Sequence, residues 1–247
     1  SLFVRVIQVG NPNLKPATST NTNLGLLWEI NDDASLSIDL WNIHYKDRLE
    51  LEDAQAKIIE NSNNPDIQRN EYGDITAVST TFFNEEKTKV KGIDVSFDYK
   101  KTLANGILLD LGINATHLFE FLTPEHEEEE EDHEGEHEDH MVNRVGKFNY
   151  NAHTHSLPRL RLNTFFGLSH NGIRYSVNAR YLDGYKNLRP LPTAAISSGY
   201  ENKVDSFLVF DIGARKTFDI DNNILELGLH LMNAFDESAP LLYDAPD

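Results

Sequence analysis

Six stretches of the chain share one pattern, a run of alternate residues that is wholly uncharged, with polar and charged residues in the gaps. In 93–99 the first set is Ile93, Val95, Phe97 and Tyr99, and the gaps hold Asp94, Ser96 and Asp98. In 107–115 it is Ile107, Leu109, Leu111, Ile113 and Ala115. In 160–168 it is Leu160, Leu162, Thr164, Phe166 and Leu168, and in 173–181 Ile173, Tyr175, Val177, Ala179 and Tyr181. Leu208, Phe210, Ile212 and Ala214 form a fifth set, and Leu225, Leu227, Leu229 and Leu231 a sixth. A period of two is that of a strand with one apolar and one polar face. No Asp, Glu, Lys or Arg falls in the apolar sets, as a surface facing lipid would require.

The pattern predicts strands near 23–30, 35–50, 88–101, 106–119, 158–170, 172–185, 204–218 and 223–233. Four connections are short and carry hairpin chemistry: Asn31 to Ala34, Thr102 to Asn105, Asn171-Gly172, and Asp219 to Asn222. The others are long, about 52–87, 120–157 and 186–203, and 234–247 follows the last strand. In an antiparallel meander this puts every short turn at one end and every long loop at the other. Outer-membrane barrels have that layout, with short periplasmic turns and long extracellular loops. The 52–87 loop is expected to hold its own hairpin, around 56–60 and 74–82. Aromatic residues near strand ends, Trp41, Tyr45, Tyr99, Phe119, Tyr181, Tyr185, Phe218 and Phe235, fit interfacial girdles.

Alternation does not say which face is inside. In a soluble sandwich the apolar face meets a second sheet; in a membrane barrel it meets lipid and the polar face lines the lumen. The sorting of loops by end favours the barrel. Inward charges Asp94, Asp98, Asp110, Arg161, Arg174, Arg180, Asp211, Arg215 and Glu226 are then expected to pair with one another or with a domain inside the barrel.

No run approaches the ~20 apolar residues of a membrane helix, and with no cysteine neither disulfides nor thiolate sites arise. The net charge of −18 argues against nucleic acid. Much of that charge is local: residues 124–140, PEHEEEEEDHEGEHEDH, hold eleven carboxylates and four histidines. There His133, His137 and His140 stand in H-x3-H-x2-H spacing, with His126 upstream and Glu136 and Asp139 between. Imidazole with carboxylate suits zinc, copper or nickel. These six residues are the candidate metal ligands, on an acidic His-rich loop within 120–157. No resident cofactor is required; zinc or another divalent ion is the expected ligand of the loop. The opposing reading of the same tract is a solvated run of charge. His44, His117, His170 and His230 stand alone and are expected in the lumen or at its rim. No Gly-x-Ser-x-Gly, Walker A or H-E-x-x-H pattern occurs, so no enzyme is expected.

Five short motifs, in order, resemble those of TonB-dependent outer-membrane receptors. Asn11-Pro12-Asn13-Leu14-Lys15-Pro16 looks like the segment that precedes a barrel strand, with Ala17 where the family has Glu. Val90-Lys91-Gly92-Ile93-Asp94-Val95 looks like a strand that follows a long loop. Leu157-Pro158-Arg159-Leu160-Arg161-Leu162 is similar to a strand start, and Asp205-Ser206-Phe207 with Asp211-Ile212-Gly213 resembles the next strand. Leu231-Met232-Asn233-Ala234-Phe235-Asp236 looks like a motif near the family's C-terminus. The resemblance implies that 1–247 is the C-terminal portion of a barrel of ~22 strands, without its N-terminal plug or closing strand and unable to transport alone. It implies uptake of a scarce nutrient across the outer membrane of a Gram-negative bacterium: an iron chelate, a metal or a small organic ligand. The partners it implies are outer-membrane lipid, the plug, the TonB energy-coupling complex acting through that plug, and the cargo.

Two rivals remain at this level. One is a soluble or secreted all-β binding module with an acidic metal-binding loop. The other is a complete small membrane barrel with a structural role.

Overall fold

Asn171 and Gly172 both adopt positive φ, 49° and 72°. That backbone twist matches two flanking strands, so the two-residue loop closes a tight hairpin. At 103–107 the backbone N–H of Leu103 donates to Ile107 and that of Gly106 to Leu103, at 2.8 and 2.9 Å. At the next turn Asn31 accepts from the Asp33 N–H at 2.9 Å. These local bonds place the reversals where the Asn, Asp and Gly clusters fall.

The computed structural model describes residues 4–124, 141–149, 156–188, 191, 193–221 and 223–241. In chain order the elements are β1 (Arg5–Val9), β2 (Thr18–Asn31), β3 (Ala34–Leu51), α1 (Ala54–Glu60), β4 (Ile67–Arg69) and β5 (Ile75–Thr102). Then come β6 (Leu108–Pro124), β7 (Met141–Asn143), β8 (Lys147–Phe148), β9 (Leu160–His170), β10 (Ile173–Leu182) and β11 (Tyr185–Asn187). The last are α2 (Thr193–Ser197), β12 (Lys203–Val204), β13 (Phe207–Ile220) and β14 (Asn223–Leu231).

The wall is the antiparallel path β14-β13-β10-β9-β6-β5-β3-β2. Every neighbour in it is also a neighbour in sequence among the long strands, so the meander is simple. Among the described residues β2 and β14 are not paired to each other, and the sheet stays open. Every short turn lies at one end. At the other end stand β1 and β4 beside the first residues of β5, β7 beside β6, and a small sheet β12-β11-β8.

Register carries the alternation across the wall. Ile38, Val95, Ala115, Leu162, Tyr181 and Leu208 are direct neighbours on one face. Asp39, Asp94, Thr116 and Arg161 form the next row, on the other. The apolar face is uncovered: Leu229 is 77% exposed and Leu24 70%. Leu109 to Phe119 spans about 33 Å of strand, or ~25 Å of height at a barrel's tilt, the thickness of a barrel's lipid band.

That band ends abruptly. On β2 the apolar face runs Trp28, Leu26, Leu24 and then Thr22, Thr20, Thr18. On β3 it runs Leu36, Ile38, Leu40 and then Asn42, His44, Lys46. On β5 it runs Tyr99, Phe97, Val95, Ile93 and then Lys91, Lys89, Lys87. The pairing of these three strands is unbroken across the change, so it is one line across the sheet. Above that line the other face turns apolar, with Trp41, Ile43 and Val90 on it, and Val90 and Thr88 are buried.

Three expectations are corrected. Residues 56–60 are not a strand but lie in α1. Asp53 caps this helix by accepting from the N–H groups of Gln55 and Ala56, both at 2.8 Å. The strand expected around 74–82 is present, but it is the first part of β5 rather than one arm of a hairpin with 56–60: residues 75–81 pair with β1 and β4, and 82–87 run on beside β3 into the wall. The long strand is visible in its composition only once those partners exist. Trp41 and Tyr45 are not girdle residues either, because they share the inner face with Gly92 and Thr88.

Candidate functional site

The polar face is built from side chains that need water or partners. Arg174 donates to Asp110 at 2.8 Å, linking β10 to β6 across β9. Arg180 reaches Asp211 at 3.1 Å, and Arg215 reaches Glu226 at 3.4 Å. Thr116 donates to Asp94 at 2.6 Å, Ser37 to Asp39 at 3.0 Å and Ser96 to Asn114 at 2.9 Å. Six of the nine inward charges thus pair with one another, while Asp94, Asp98 and Arg161 make no ion pair among the described residues. Asp211 has a second task, accepting the Asn233 N–H at 2.9 Å where the chain turns after β14.

Glycines on this face make room for neighbours. A Cβ on Gly92 would lie 2.7 Å from Cη2 of Trp41, whose indole crosses the glycine. A Cβ on Gly213 would lie 2.7 Å from the Ser176 hydroxyl and 2.9 Å from Nδ1 of His230. Shallow hollows follow. One is lined by Arg161, Asn163, Arg180 and Phe207; another by Asn114, Asn178, Arg180 and Asp211. These surfaces offer cationic and amide donors to an anionic or hydroxyl-rich ligand. No acid–base–nucleophile arrangement appears on them.

At the loop end the chain before β2 is clamped to β5. Asn11 accepts from the Asn13 N–H at 2.9 Å and donates to the carbonyl of Phe82 at 2.9 Å. Asn84 accepts from the Lys15 N–H at 2.8 Å and donates to the carbonyls of Lys15 and Asp47. The first receptor-like motif is therefore an anchor just ahead of β2, the strand it was expected to precede. Lys57 of α1 holds Glu52 at 2.6 Å and Asp66 at 2.7 Å. Burial pushes the Glu52 carboxyl upward, but hydrogen bonds from Lys57 and from both the N–H and the hydroxyl of Thr81 outweigh it and hold the group below its usual range. Burial pushes the Lys57 ammonium down, but Asp66 and Glu52 raise it above its ordinary value.

The sequence-predicted metal ligands His126, His133, Glu136, His137, Asp139 and His140 lie outside the described residues. Among the described residues no group of three or more His, Asp and Glu is placed to hold a metal. His230 lies on the polar face opposite Gly213. His117 lies on the apolar face at the top of the band, its ring 5.0 Å from that of Phe119. His170 is at the Asn171 turn, and His44 stands just above the band. The line of Lys87, Lys89 and Lys91 was missed. Its signal was Lys-Thr-Lys-Val-Lys, itself a period of two, cut off by a strand start set at 88.

A family model described as TonB dependent receptor-like, beta-barrel matches residues 2–234. Among solved structures, the chain is similar to a mutant ferric enterobactin receptor (PfeA) from Pseudomonas aeruginosa in complex with enterobactin. Identity is 18% over 93% of this chain and 27% of that one, with a TM-score of 0.56. It is similar to the siderophore receptor PirA from Acinetobacter baumannii, at 16% identity over 93% of this chain and 29% of that one, TM-score 0.53. It is similar to the outer membrane transporter YddB from Escherichia coli, at 13% identity over 96% and 31%, TM-score 0.57. The chain spans less than a third of the length of these proteins. No curated protein sequence matches it.

Proposed function

Because the chain belongs to the TonB-dependent receptor β-barrel family, we propose that it forms part of the wall of an outer-membrane receptor that takes up a scarce nutrient. Members of the family are transporters and not enzymes. The observation that carries the reading is the uncovered apolar band shared in register by neighbouring long strands. Water would not tolerate so large an apolar face on a soluble module, whereas lipid requires it.

In this reading the polar face lines the lumen. It meets a plug domain, and an energy-coupling TonB complex acts through that plug. The cargo class we favour is an iron chelate. The similar solved proteins include receptors for siderophores, and the arginines and amides of the polar face suit an anionic, hydroxyl-rich ligand. The test is growth under iron limitation on defined ferric chelates, with the gene deleted and restored. Expected is a growth defect cured by the gene and lost again when energy coupling is disabled. Recovery of the protein in the soluble fraction would end the barrel reading; uptake indifferent to every chelate would end the cargo assignment alone.

For the acidic loop we propose weak capture of divalent metal by His126, His133, Glu136, His137, Asp139 and His140, on the strength of their H-x3-H-x2-H spacing. Calorimetric zinc titration of the detergent-solubilised receptor, beside a deletion of 125–140, tests it. Binding should vanish in the deletion and weaken below about pH 6, as imidazole protonates. Matching titrations would make the tract a solvated charge run.

A further inference from the structure

We propose that Arg161 and the hollow beside it form a transit site on the lumen wall, which takes one arm of an anionic chelate as the cargo passes down from the mouth. The proposal rests on the reading of the chain as part of a receptor for an iron chelate, and it narrows the cargo to chelates that carry negative charge. Its residues are Arg161 and Asn163 of β9, Leu182 of β10, and Phe207 and Val209 of β13.

Arg161 differs from the other arginines of this flank. Arg174, Arg180 and Arg215 each hold a carboxylate, that of Asp110, Asp211 and Glu226 in turn. Arg174 reaches Asp110 by crossing Gly167, where an added Cβ would lie 3.1 Å from Nη2 of the arginine. Arg161 lies in one row with Thr116 of β6 and Asp94 of β5. Thr116 stands between the two charges, and its hydroxyl already donates to Asp94 at 2.6 Å. Arg161 is exposed, and its guanidinium makes no hydrogen bond or ion pair among the described residues. The Asn163 amide makes none either.

The hollow measures about 270 Å³. An apolar cavity of ~150 Å³ already takes a benzene ring, so the space suits one ring-sized arm of a ligand. Leu182, Phe207 and Val209 give it an apolar floor, and Arg161 and Asn163 supply N–H donors at its rim. Anionic oxygens on such an arm would accept from the planar fork of the guanidinium while the ring rests on Phe207. A second hollow of about 250 Å³ adjoins the first, with Asn163 and Arg180 in common. A third, of about 440 Å³, shares Phe165 with the second and reaches Arg174 and Arg215. The three descend one flank of the lumen, each with an arginine in its wall.

Asp94, level with Arg161, stands between Ile93 and Val95, the two uppermost members of the apolar band on β5. The site is therefore in the lumen just below the line at which the band ends. Asp39 lies directly opposite Asp94, and neither makes an ion pair among the described residues. These carboxylates repel an anion from the β3 and β5 side and leave it the β9 flank. The competing occupant is a carboxylate side chain of a domain inside the barrel. The apolar floor favours the chelate instead, since a lone carboxylate side chain would leave Leu182 and Phe207 uncovered.

The experiment uses cells producing the full-length receptor and radiolabelled iron. The probes are a ferric tris-catecholate and ferric citrate, both anionic, and an uncharged ferric tris-hydroxamate. Surface binding is read in energy-depleted cells and uptake in energised ones. Expected for the wild type is uptake of an anionic probe and not of the hydroxamate. Arg161→Gln should slow that uptake about tenfold, the effect of losing one charge-assisted hydrogen bond, with surface binding changed by less than about twofold. Arg161→Lys should restore most of the rate, which separates charge from folding damage. Uptake of the hydroxamate as fast as that of the anionic probes, an unaffected glutamine variant, or surface binding that falls as far as uptake would each overturn the proposal. A glutamine variant that admits large hydrophilic antibiotics without energy coupling would assign Arg161 to holding an inner domain, and would overturn it too. A wild type that takes up none of the three probes would end the iron-chelate reading, and the inference with it.

Discussion

Gly92 shows how one missing methyl group can shape a barrel mouth. Its hydrogen leaves space for the Trp41 indole, which seals the inner face just above the band. Gly92→Ala forces that ring aside, and overpacking of this kind costs about 1–3 kcal/mol. The expected outcome is a lower temperature at which the barrel loses its heat-modifiable migration on gels; an unchanged temperature would show that the indole moves freely. The motif containing Gly92 was legible in the sequence, but its partner was not, because Trp41 is 51 positions away and meets it only through register.

At the scale of elements, ionisable side chains help to hold both the turn after β14 and α1. Asp211 joins β13 to the turn after β14, so Asp211→Ala leaves the Asn233 N–H without its acceptor and Arg180 without its partner. The cost should be about 1–2 kcal/mol and local, read as faster hydrogen exchange over 223–231 with the centre of β5 unchanged. The α1 layer depends on Lys57. Glu52 is held below its ordinary 4.5, so its share of the docking is present above that pH and is lost as pH falls through it. Lys57 is raised above 10.5, so its share persists through neutral pH and is lost only as pH rises past that value. Protease cleavage within 52–74 should therefore be slow from about pH 5 to 10 and rise below pH 4.5; Lys57→Met should make it fast at pH 7. A flat profile would show that apolar packing alone holds the helix. The strand faces were readable because period two needs no distant information. The strand at 74–82 was readable too, but not its continuity with the wall strand as β5, since its partners β1 and β4 lie in segments with no alternation of their own. The helix was mistaken for a strand because its apolar residues are too few to reveal a period, although Asp53 stood at its start as a cap.

For the whole molecule, the decisive question is which face meets lipid. Ile113 lies in the middle of the apolar face, and Ser96 on the polar one among Asp94, Asp98 and Asn114. Ile113→Arg should cost ~2–4 kcal/mol, as an arginine at the bilayer midplane does, and should cut the amount assembled in the outer membrane. Ser96→Arg should assemble normally. The reverse result would turn the sheet inside out. This orientation was legible in advance from the absence of charge in one set and the sorting of loops. The height of the band was not, because its upper limit is a line drawn across three strands rather than a feature of any one.

β5 has a mechanical consequence. Its 28 residues make one continuous rod of about 90 Å, fixed low down between β3 and β6 and high up between β1 and β4. A backbone already near full extension resists further stretching. Force applied to that part of the mouth is thus handed to the wall as a whole. The molecule is stiff on that side of its opening.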